Sequence, residues 1–250
     1  MALPQHVLER LPRALLHTGV QPAEAARGGL ALGLEALDEL LPDRGLLRGG
    51  VVELSVGGAL AGATRIALSA CRAAQLEGRE RGGDAPWCAF VDPSATLYAP
   101  GVIEAGVELE RLLVLRPTLE ALARVSLRVV ESGAFALVVI DTMGVPGRSL
   151  GVALGTWPRI VRRLSMAVEG TSASVLLVTD RSVARPLPLP VAQRIELSRP
   201  NESELRVRVA KDKHGRVLSP RTIPWLRTSL KPLAKSGELP RFTRAANDAG

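Results

Sequence analysis

The chain has 250 residues, 46% of them hydrophobic, only seven aromatic, and a formal net charge of +7. That length and apolar content suit one large α/β domain whose core rests on Leu, Val, Ala and Ile. The absence of any run of roughly eighteen apolar residues argues against a membrane-spanning helix, and the N-terminus lacks the basic-then-apolar pattern of a secretory leader, so a cytoplasmic protein is expected.

Residues 4–18 place Val7, Leu8, Leu11, Leu15 and Leu16 at helical spacing around Pro12. Residues 21–29 are small and polar. The expected organisation is therefore a helical arm and linker over 1–28, a core domain over 29–229 and a flexible basic tail over 230–250. Gly33–Leu40 predicts a short helix closed by Pro42, and Gly45 and Gly49–Gly50 turn the chain into a first strand.

That strand opens the stretch around which the rest is organised, VVELSVGGALAGATRIALSACRAAQL over residues 51–76. A run of strand formers, a glycine turn and an Ala/Leu/Ile-rich helix make the framework of a phosphate loop, in which helix N-terminal amides hold phosphates. Gly57, Gly62 and Thr64 have the spacing of G-x-x-x-x-G-K-[ST], but Ala63 stands where the lysine belongs. Without that cation the outer phosphates lose their charge partner in transfer. Weak nucleotide and Mg²⁺ binding through backbone amides and Thr64 stays open. So does the plainer reading of a glycine turn kept for packing.

Trp87–Asp92, Phe135–Asp141 and Ser174–Asp180 read as buried strands ending in carboxylates, and Leu119–Val130 and Trp157–Val168 as helices between strands. Near-continuous apolar strands with intervening helices predict a mainly parallel sheet covered on both faces. Asp141 has the position of a Walker B aspartate; it could hold a metal through water or simply cap the turn that follows. No metal site is expected from His6, His17 and His214, which are scattered, or from Cys71 and Cys88, which lack ligand spacing and read as buried small hydrophobes.

Beyond an irregular spacer at Arg185–Pro190, Ala192–Leu197 and Glu204–Lys211 alternate apolar and polar, as half-exposed antiparallel strands do. Basic and acidic residues balance through Ser198, at 20 each. From Arg199 onward 12 basic residues face 5 acidic ones, so the whole excess lies there. Such a segment suits a polyanion or serves only as a solvated tail. Its candidate contacts are Arg206 and Arg208, two apart on one strand face, and Lys211, Lys213 and Arg216 in the hairpin-like turn that follows.

Several of these fragments resemble the RecA-type recombinase core over about residues 30–220. They are the VEL strand before the glycine loop, Phe90–Asp92, Gly106–Pro117, and Lys211–Lys213, similar to a K-N-K element near a neighbour's nucleotide. In that family a glutamate follows the Asp92 position by two residues, and here it is Ser94, which is no general base for water. No catalytic residue is therefore expected. A short chain without the Walker lysine resembles the ImuA family more than the recombinases. That resemblance implies a non-catalytic, RecA-like adaptor in damage-induced translesion synthesis, acting with an ImuB-type inactive Y-family polymerase homologue and touching RecA and single-stranded DNA. The alternatives are an ATP-dependent RecA-family DNA-binding ATPase and a regulatory adaptor such as a cell-division inhibitor.

Overall fold

The computed structural model of the chain describes residues 28–58, 62–144, 150–183 and 188–225. The expected N-terminal arm and C-terminal tail, most of the first linker and part of the Arg185–Pro190 spacer lie outside these residues.

An eight-stranded sheet organises the rest. Its strands are β1 (Gly50–Gly57), β2 (Cys88–Val91), β3 (Leu112–Leu115), β4 (Leu137–Asp141), β5 (Ser174–Asp180), β6 (Gln193–Asn201), β7 (Glu204–Asp212) and β8 (Leu218–Pro224). Their order is β3-β2-β4-β5-β1-β6-β7-β8. The first six are all parallel to their neighbours, and β7 pairs antiparallel with both β6 and β8. The strands β1, β4 and β5 are buried almost end to end, which is why they read in sequence as uninterrupted apolar runs. The antiparallel pairing expected at the C-terminal side is present between β6 and β7 and between β7 and β8, and β6 in addition runs parallel to β1. Alternation reports half-exposure and carries no information on strand direction.

Helices cover both faces. The one-turn α1 (Glu35–Asp38), α2 (Ala63–Glu80) and α3 (Ala99–Glu104) lie on one side. There Ile66, Ala67, Ala70 and Cys71 pack on Val52, Leu54, Val139 and Leu176, and the same core runs on under Ile195, Leu197, Leu205 and Val207. On the other side α4 (Leu119–Glu131) and α5 (Pro158–Val168) set Leu122, Val129, Val161 and Leu164 against Val51, Ala89, Ile140 and Val175. Cys71 and Cys88 are buried free thiols. No helix among the described residues is long and apolar enough to cross a membrane.

One charge is sealed inside. Glu53, in the middle of β1, is fully buried, and its carboxylate accepts from Thr179 Oγ1 at 2.8 Å and Arg194 Nε at 2.6 Å. An unpaired carboxylate there would be costly, so this ion pair clamps β6 to the parallel part of the sheet.

Candidate functional site

Because β1, β2, β4 and β5 are parallel, their C-terminal ends bring Gly57, Asp92, Asp141 and Asp180 to one edge of the sheet. This edge is where open α/β sheets place ligands. β1 ends at Gly57, and Gly58 has φ +88°. Residues 59–61 lie outside the described residues. Gly62 then caps α2 with φ +72°, and Ala63 opens the helix. The order strand, glycines, helix is thus present, and Thr64 is exposed beside it.

What stands at the helix start is an indole. Trp225, just past β8, is 7% exposed, and a Cβ built on Gly62 would lie 2.5 Å from its ring. Its backbone N–H donates to Ser203 O at 2.6 Å, and the Arg65 guanidinium stacks 4.8 Å from the ring centroid. Ala63, at the position a phosphate-binding lysine would hold, is buried in the core that includes Trp225. A large apolar ring thereby borders the first turn of α2, whose amides would otherwise face an anion.

The carboxylates of this edge are engaged by their own turns. Asp92 accepts from Ser94 Oγ at 3.0 Å, Thr96 N at 3.2 Å and Leu97 N at 2.8 Å. Asp141 Oδ1 accepts from Met143 N at 2.8 Å and Gly144 N at 3.1 Å. Burial pushes the Asp141 carboxyl up from its ordinary range; those two amides oppose the shift and the nearby Asp92 adds to it. Asp180 accepts from the amide and hydroxyl of Ser182. Among the described residues no group of three or more His, Cys, Asp and Glu is arranged to hold a metal ion.

The basic candidates are spread along the sheet: Arg206 lies at the level of Gly57, two strands over, and the others lie progressively further from the glycine turn. Since β7 runs opposite to β1, Lys211 lies mid-sheet in register with Arg194 and Glu53, and Lys213 lies at the edge where β1 begins, away from the glycine turn. Arg206 and Arg208 are exposed on one face of β7, and Arg208 approaches Glu196 at 3.4 Å. Arg216 is engaged at the surface. Its guanidinium binds Asp43 in a fork at 2.6 and 2.8 Å and also reaches Asp212. It ties the segment before β1 to the β7–β8 turn and holds the Asp43 carboxyl below its ordinary range.

The sequence reading missed a surface at the far end of the sheet. β3 has no outer neighbour among the described residues. Of seven well-exposed large apolar side chains there, five lie on the segment that builds this edge: Tyr98, Ile103, Leu109, Val114 and Leu119. The only signal in the sequence was the short apolar run LLVL next to Arg116-Pro117. No protein-family model and no curated protein matches the chain.

Proposed function

We propose that this chain is a non-catalytic, RecA-like adaptor in damage-induced translesion DNA synthesis, binding an ImuB-type inactive Y-family polymerase homologue, with RecA and DNA as further contacts. The strand order, with only β7 opposed to the rest, is compatible with a RecA-like core, and the family assignment rests on the resemblance of residues 30–220. The absence of turnover is supported by Ala63, by the Trp225 ring at the start of α2, and by Asp92 and Asp141 capping their own turns.

The observation that carries the adaptor role is the β3 edge. An unpaired strand offers a row of backbone donors and acceptors to another chain, and the exposed apolar side chains around it add surface for an added strand to cover. Soluble proteins seldom leave such an edge uncovered without a use for it. The test is binding of the purified chain to an ImuB-type homologue with Val114→Asp and Ile103→Asp, both exposed positions. The expected result is a loss of affinity of about tenfold or more with an unchanged melting temperature. Unaltered binding by both variants would remove β3 as the docking edge, and no complex at all would remove the partner.

A further inference from the structure

A second surface lies on the opposite half of the sheet. Ile195, Leu197, Leu205 and Val207 face the α2 side, so the alternate residues of β6 and β7 face the α5 side. There Arg206 and Arg208 are exposed. Simple alternation would turn Lys211 away from them. A β-bulge between the Ile195–Val209 and Arg194–Lys211 pairs resets the register, and Lys211 joins the same face as Arg194.

The wall of this trough is α5. Arg163 pairs with Glu131 of α4, so that side of α5 looks toward α4. Arg162 and Met166, four residues apart on the outer side of α5, are both exposed. Met166 is 73% exposed. It lines a cleft of about 410 Å³ that also meets Ser165, Glu169, Ala192 and Lys213. The trough thus carries Arg162, Arg206, Arg208, Lys211 and Lys213 against the carboxylates Glu169, Glu196 and Glu204.

We infer that this trough docks an acidic segment of another protein, one that seats an apolar side chain in the cleft beside Met166. Charge complementarity selects an anionic partner. The cleft and the adaptable thioether select a peptide. Trp157 and Phe135 on this side are buried, and among the described residues the well-exposed aromatic is Tyr98, on the segment leading to β3. This face therefore offers no ring to stack nucleobases. The chain's own ends do not qualify. Residues 1–27 carry Glu9 and Glu24 against Arg10, Arg13 and Arg27. Residues 226–250 carry Glu238 and Asp248 against Arg227, Lys231, Lys235, Arg241 and Arg244. The trough does not depend on the translesion reading, and it lies at the other end of the strand order from β3.

The experiment is fluorescence anisotropy of the full chain with a labelled peptide of repeated Glu-Glu-Leu triplets, beside a labelled oligo-dT of matching length. Saturable peptide binding is expected, weakened about tenfold or more by R206E/R208E, weakened several-fold by the charge-neutral Met166→Ser, and untouched by Val114→Asp. All four substituted residues are exposed, so circular dichroism should report an unaltered fold. Failure of the peptide to bind, or equal binding by the variants, would overturn the proposal. Tighter binding of oligo-dT that falls with R206E/R208E and ignores Met166→Ser would overturn it in favour of a nucleic-acid face.

Discussion

Removing the partner of the buried Glu53 carboxylate should be the most damaging single change in the sheet. The carboxylate is fully buried, and the Arg194 side chain that neutralises it at 2.6 Å is itself 14% exposed. In Arg194→Leu the buried carboxylate loses its 2.6 Å guanidinium contact while Thr179 still donates its hydroxyl, and breaking one side of a buried ion pair costs about 3–5 kcal/mol. Replacing both partners removes the buried carboxylate together with its guanidinium, so the double variant Glu53→Leu/Arg194→Leu should regain most of that loss. Urea unfolding of the wild type, both single variants and the double variant gives the cycle directly. A cost below about 1 kcal/mol for Arg194→Leu, or a double variant no more stable than the single, would refute the buried-clamp reasoning.

Three further outcomes follow from the same structure. Gly62→Ala puts a Cβ 2.5 Å from the Trp225 ring at φ +72°, so it should cost about 1–3 kcal/mol in urea unfolding and lower Trp225 burial, seen as a red-shifted emission. Asp141→Asn keeps an acceptor for Met143 and Gly144 while removing a carboxylate that burial disfavours. The raised folded value means that the ionised form weakens the fold as pH rises through it, so the variant should melt at or above the wild-type temperature at neutral pH, with the difference shrinking in acid. Asp43 and Asp212 are held low, Asp43 chiefly by the Arg216 hydrogen bond; for Asp212 burial acts upward and is outweighed by the Arg216 guanidinium and the amides of His214 and Arg216 together. Their contribution is therefore complete above the ordinary carboxylate range near pH 4 and is lost as pH falls through the depressed values. Arg216→Met should flatten that acid limb in a pH series of melting curves, and an unchanged limb would show that the tether contributes nothing.

The parallel half of the sheet was legible because buried strands read as apolar runs between turn signals. Ser174–Asp180 was delimited to the residue, and the strands ending at Gly57 and Asp141 to within a few. β8 was not legible: Pro220 and Pro224 argue against a strand, and only an edge position tolerates them. The candidate site divides in the same way. Spacing placed Gly57, Gly62, Ala63 and Thr64 at a strand-to-helix turn. Trp225 beside Gly62, Arg194 on Glu53 and Arg216 on Asp43, 173 positions apart, are contacts that only the folded chain creates. The bulge that turns Lys211 onto the Arg206 face is equally silent in sequence, since a one-residue register change has no compositional signature.

The central claim is an adaptor that works without nucleotide chemistry, and titration with a fluorescent ATP analogue and Mg²⁺ tests it most directly. The wild type should show no saturable binding. Ala63→Lys should show none either, because residue 63 is buried in the core that holds Trp225. Saturable binding by the wild type, displaced by unlabelled ATP and accompanied by phosphate release, would contradict the account and make a ligand-gated RecA-like switch the better description.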